Sequence, residues 1–115
     1  MVLLHGRDST ASEFASEFFE SQASDGRTVL EIFPTFKWVF PSSGLRTSAR
    51  FETEMLQWFD IWSVEEPEAR KELQKEGLIG SVALVLEVLR EEMEVVPADR
   101  IILGGISQGC ATAIH

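Results

Sequence analysis

Apolar and polar positions change their period several times along this chain. Val2-Leu3-Leu4 is a short continuous apolar run, the pattern of a parallel strand buried on both faces. His5-Gly6-Arg7-Asp8 follows as a turn. Thr10-Ala-Ser-Glu13 has capping-box spacing and opens a helix on which Phe14, Ala15, Phe18, Phe19 and Gln22 keep a helical period. Ser24-Asp25-Gly26 ends it. Residues 28–32 fit either a strand or a short helix. Residues 36–40, Phe-Lys-Trp-Val-Phe, predict a second strand stopped by Pro41, and the small polar residues 42–48 predict a loop. Residues 54–62 are dense in aromatics and follow no single period. Glu66-Pro67 opens an acidic helical stretch to Glu76, broken at Gly77. Leu78, Ile79, Val82, Leu86, Leu89 and Met93 predict an amphipathic helix over about residues 80–94, its stripe facing the core. Pro97-Ala-Asp99 then turns the chain into the apolar run Ile101 to Leu103.

This alternation of strands and helices predicts an α/β fold, a short parallel sheet flanked by helices. Right-handed crossovers would put helices on both faces. No internal repeat is visible.

The run from Ile101 ends in two glycines, and Gly105-Ile106-Ser107-Gln108-Gly109 spells G-x-S-x-G. Cys110-Ala-Thr-Ala-Ile114 continues as a helix of small residues. Strand, tight turn, serine and helix together form the context of a nucleophile elbow, in which Ser107 Oγ stands free on a sharp corner. Gly105 and Gly109 are needed there because a Cβ would collide with the neighbouring strand or helix. Two other glycine-rich readings fail on residues. No Lys follows the glycines, which excludes a phosphate-cradling loop. Ile106 stands where a dinucleotide fingerprint counted from Gly104 would need its second glycine.

Composition narrows the picture further. At 115 residues the chain is at most one domain. A net charge of −9 argues against nucleic acid and anionic membrane surfaces as partners. No apolar run is long enough for a stable membrane insertion. One cysteine and no secretory leader pattern suit a reducing, cytoplasmic setting. His5 and His115 form no ligand cluster, so no metal is expected, and no cofactor motif is met.

Two local signals fall in a recognisable order: a strand followed by His5-Gly6, then Gly105-Ile-Ser-Gln-Gly109. With Trp58-Phe59-Asp60 and Arg100-Ile-Ile-Leu-Gly-Gly between them, the chain resembles the acyl-protein thioesterase, carboxylesterase and lysophospholipase family of small α/β-hydrolases. The likeness is strongest at residues 2–8, 58–61 and 100–109. Residues 44–51 and 65–78 are similar to its fungal branch. The sister dienelactone hydrolases carry Cys at the nucleophile, which Ser107 speaks against.

The resemblance implies an α/β-hydrolase fold fragment and assigns roles by position. Ser107 would be the nucleophile attacking an ester or thioester carbonyl. The backbone N–H groups of Arg7 and Gln108 would form the oxyanion hole, supported by His5, Gly6, Gly105 and Gly109. Arg7 departs from the small or aliphatic residue usual there, its side chain pointing to solvent or narrowing the acyl entrance. His5 would order the oxyanion loop rather than transfer protons. Trp58 and Phe59 are acyl-pocket residues or ordinary core aromatics. Asp60 would fix local structure, and Cys110 would be a small buried hydrophobe. The implied substrates are lipidated proteins, lysophospholipids or small esters, and copies of the family often pair through sheet edges or loops into homo-oligomers.

In this fold the triad acid and histidine follow the serine in sequence. No acid follows Ser107, and His115 lies about two helical turns along the helix starting at the elbow. The expectation is therefore a single partial domain, residues 1–115, trimmed at both ends, with its elbow strand left as an exposed apolar edge. The alternatives are a truncated, non-catalytic binding or interaction module and a fragment with no function of its own.

Overall fold

A computed structural model describes all 115 residues. Strand β1 (Val2–Leu4) and strand β4 (Leu103–Gly105) pair in parallel, Val2 opposite Leu103 and Leu4 opposite Gly105. On the other edge of β1, Val39 makes a single parallel bridge to Val2. Residues 36–40 therefore do not form the predicted strand. Only Val39 joins the sheet, its N–H donating to the Met1 carbonyl and its carbonyl accepting from Leu3 N–H, both at 2.9 Å. Their aromatic rings pack sideways instead. Trp38 and Phe40 meet Phe14, Phe18 and Phe19 of helix α1 (Ala11–Glu20) in tilted and edge-on contacts.

Helix α1 begins where its signature places it: Thr10 Oγ1 accepts from Glu13 N–H at 3.0 Å. Residues 28–32 resolve as a one-turn helix, α2 (Val29–Ile32). Thr28 and Glu31 form both bonds of a capping box, a signal the sequence carried.

The loop expected at residues 42–48 is partly a strand. β2 (Leu45–Ser48) and β3 (Thr53–Leu56) form an antiparallel hairpin, separate from the parallel sheet, with Arg46 opposite Met55 and Thr47 opposite Glu54. Small polar residues hid it because cross-strand pairing, not local apolar pattern, holds these strands together.

Helix α3 (Glu72–Met93) runs unbroken through Gly77. The break expected there is corrected by packing: a Cβ at 77 would lie 2.8 Å from Phe59 Cα, so glycine lets α3 approach the aromatic segment. The face of α3 buried in the chain is Gly77, Ser81 and Val85, each four residues apart. The predicted stripe divides. Leu78 and Leu89 pack on the core, whereas Ile79, Leu86 and Met93 are exposed.

The core consists of Val2, Leu4, Trp58, Phe59 and Val85. The accessible surface is 7413 Å², against roughly 6,300 Å² for a self-contained fold of this mass. The outer edge of β4 is open, since β4 pairs only with β1. There Leu86, Leu89, Met93, Ile101 and Leu103 line an apolar groove of about 280 Å³.

Candidate active site

The site is built where β4 turns into helix α4 (Gln108–Ala113). Ser107 occupies the corner at φ 53 and ψ −121, a conformation that L side chains rarely adopt. Close approaches on both sides hold it there. A Cβ at Gly105 would lie 2.5 Å from the carbonyl carbon of Gly109. A Cβ at Gly109 would strike the carbonyl oxygens of Leu4 and His5. Ile106 N–H donates to Leu4 O at 3.0 Å, and Gly109 N–H closes the turn onto Ile106 O at 2.9 Å. The result is an exposed Ser107 whose hydroxyl has no hydrogen-bond partner in the chain.

The His5–Arg7 turn lies against this corner. A Cβ at Gly6 would come within 3.6 Å of Ser107 Cβ. Arg7 N–H and Gln108 N–H donate to no acceptor in the chain. For Gln108 this follows from its place in the first turn of α4, where amides have no intrahelical partner. Two unpaired donors therefore flank one exposed hydroxyl.

His5 is fully buried and fully committed. Ser43 N–H donates to Nε2 at 3.1 Å, so Nε2 is the acceptor and Nδ1 carries the proton, which it donates to Gly6 O at 2.7 Å. The ring also packs 5.1 Å from the Trp58 ring. No lone pair is left for Ser107.

Beneath the corner, Gln108 binds the Trp58–Phe59 backbone with both ends of its amide. Oε1 accepts from Trp58 N–H and Nε2 donates to Phe59 O, each at 2.8 Å. Trp58 Nε1–H donates to His5 O at 2.8 Å, and Ser81 Oγ–H donates to Trp58 O. Trp58 is fully buried and Phe59 is 5% exposed, so neither ring offers an open wall to an acyl chain. The side-chain roles of Gln108 and Ser81 and the backbone donor at Ser43 were not visible in the sequence, because each depends on a partner at least 23 residues away.

The remaining residues fall elsewhere. Asp60 accepts from Ala49 N–H at 3.0 Å and is turned toward the hairpin. Cys110 is exposed rather than buried. α4 packs through Gln108, Gly109 and Thr112, and Cys110 projects from the opposite side. His115 is exposed at the far end of α4. A cavity of about 330 Å³, lined by Met1, Phe36, Val39 and Ile101 among others, lies at the opposite end of the strands from Ser107. No group of three metal-ligating side chains is assembled, and no helix is long and apolar enough to cross a membrane.

A sequence model of the phospholipase/carboxylesterase family matches residues 1–115. The chain belongs to this family. Among its relatives, acyl-protein thioesterase 1 of Yarrowia lipolytica is 28% identical over 116 residues, covering 99% of the chain and 48% of the relative. Acyl-protein thioesterase 1 of Schizosaccharomyces pombe is 29% identical over 85 residues, covering 72% and 37%. The chain spans about half the length, or less, of the curated relatives it matches. In structure it is similar to Arabidopsis thaliana SOBER1, with a TM-score of 0.74 at 19% identity, over 98% of the chain and 51% of SOBER1. Zea mays acyl-protein thioesterase 2 gives 0.57 at 23% identity, over 98% and 42%. These likenesses establish an α/β-hydrolase fold, within which the chain forms a short parallel sheet with flanking helices.

Proposed function

We propose that this chain carries the nucleophile and the oxyanion donors of a serine hydrolase acting on carboxylic esters or thioesters. One observation carries the reading: Ser107 is exposed on a strained corner between β4 and α4, beside the unpaired N–H groups of Arg7 and Gln108. Strain of this kind costs of order 1–3 kcal/mol and persists where the surrounding structure enforces it.

In this reading Ser107 Oγ attacks the carbonyl carbon while a base removes its proton. The two amides hydrogen-bond the oxygen as it gains negative charge. The tetrahedral intermediate then collapses, the alcohol or thiol leaves with a proton, and water releases the acyl group from Ser107. His5 cannot be the base, since both its ring nitrogens are engaged. The family's chain order puts the acid and the histidine after the nucleophile, so we assign them to residues downstream of those described. Trp58 and Phe59 act as the brace beneath the elbow. The acyl-protein thioesterase relatives favour a thioester-linked acyl protein as substrate, with lysophospholipids and small esters open to the same chemistry. Such a reaction suits the cytoplasm, where the lone Cys110 stays reduced.

The test is pre-steady-state kinetics of the full-length protein with an acyl thioester. A burst of thiol stoichiometric with enzyme, lost in Ser107→Ala, is expected. Steady release with no burst, unchanged by Ser107→Ala, would exclude an acyl-enzyme on this residue.

A further inference from the structure

We infer that the Arg7 side chain is a specificity determinant that pairs with an anionic group on the substrate near the scissile carbonyl. This rests on the hydrolase reading above and goes beyond it, since that reading uses only the backbone N–H of Arg7.

The guanidinium is held in place rather than loose in solvent. Arg7 Nε–H donates to Gln57 Oε1 at 3.2 Å, and Nη2–H reaches Met55 Sδ at 3.5 Å. Its central carbon is 5.7 Å from the centroid of the Phe51 ring. Gln57 is itself fully buried, its Nε2 facing the Arg46 carbonyl and Asp60 Oδ1. Arg7 is thereby folded back under the β2–β3 hairpin, one residue from the Gly6 backbone that abuts Ser107.

No carboxylate among residues 1–115 pairs with this charge. The ion pairs of the chain engage Arg27, Lys37, Arg70 and Lys71 only. The acids around the hairpin do not reach Arg7. Asp60 faces Gln57 and Ala49. Glu54 lies opposite Thr47, on the hairpin face away from Met55. Asp8 and Glu52 are exposed and form no ion pair. Arg7 Nη1 has no partner at all. A guanidinium keeps its charge at every working pH and presents its donors as a planar fork suited to carboxylate or phosphate. In a chain of net charge −9, a fixed cation without an ion-pair partner, on the residue that follows the glycine abutting Ser107, favours substrates that bring their own anion.

That anion can sit on the acyl chain, as a carboxylate, or on the leaving group, as a phosphate. Two substrate pairs separate these sources in the full-length protein. One compares p-nitrophenyl hemisuccinate with p-nitrophenyl butyrate. The other compares phenyl butyrate with and without a ring phosphate. The wild type is expected to prefer the anionic member of one pair in kcat/KM. Arg7→Gln and Arg7→Met should lower that preference about tenfold, the worth of one charge-assisted hydrogen bond, while Arg7→Lys retains part of it. Arg7→Met keeps the stem over Phe51 and controls for the hairpin contact. A parallel fall on charged and neutral esters in both variants would reduce Arg7 to a hairpin latch and overturn the inference, as would a wild type with no preference in either pair. Failure to cleave all four esters would overturn the hydrolase reading first and this inference with it.

Discussion

The side chain of Gln108 hydrogen-bonds the backbone of Trp58, 50 residues earlier in the chain, in the manner of a neighbouring strand. With its second bond, to Phe59 O, it ties the residue after Ser107 to the hydrophobic core and fixes the direction of the Gln108 N–H. The donor proposed for the oxyanion is therefore aimed by a side chain of its own residue. Gln108→Leu should orphan Trp58 N–H and Phe59 O together, at roughly 1–3 kcal/mol for each buried group. Urea denaturation of the full-length variant should show that loss. Its kcat should fall by more than its KM rises, because the aim of the amide matters most in the transition state.

Helix α3 carries two glycines with opposite expected behaviour. Alanine favours a helix over glycine by about 1 kcal/mol. At Gly80 the new methyl would meet only the mobile end of Arg46, at 3.3 Å, so Gly80→Ala should raise stability by up to about 1 kcal/mol. At Gly77 it would meet Phe59 Cα at 2.8 Å and Phe59 Cβ at 3.1 Å. Backbone cannot yield as a side-chain tip can, so Gly77→Ala should destabilise by roughly 1–3 kcal/mol. Thermal unfolding of the two variants side by side checks the sign of each.

The same pair of residues shows where sequence reading stops. The elbow was legible because its signals are local: an apolar run, glycines at fixed offsets and a serine between them. The two Thr-x-x-Glu caps are equally local, and the one at Thr28 carried enough information to settle α2. Gly77 read as a helix break because its reason for being glycine is Phe59, 18 positions earlier in sequence and in contact only after folding. The hairpin at Arg46 and Met55 and the lone bridge at Val39 were misread for the same cause. Strand pairing is non-local, and local composition records it poorly. Of the proposed site, Ser107 and the two candidate donor amides were named from motif and resemblance. The commitment of His5 to Ser43 and Gly6, and the fold-back of Arg7 onto Gln57, could not be.

Ser107 stores strain that glycine would release. Ser107→Ala and Ser107→Gly should both abolish acyl transfer, since neither has a nucleophile. At φ 53 and ψ −121 alanine keeps the steric conflict of a Cβ, whereas glycine does not. The Gly variant should therefore be the more stable of the two by roughly 1 kcal/mol, a difference readable in denaturant midpoints at equal slope. Equal stability would mean that the corner is relaxed.

The most direct test is to trap the acyl-enzyme and locate it. The full-length protein is mixed with a slowly deacylating ester, quenched in acid, digested and read by mass spectrometry across the peptide holding residues 101–115. One acyl group on Ser107 is the predicted result, with no adduct in Ser107→Ala. An adduct on the exposed thiol of Cys110, or hydrolysis that continues undiminished in Ser107→Ala, would contradict the assignment of this corner as the nucleophile.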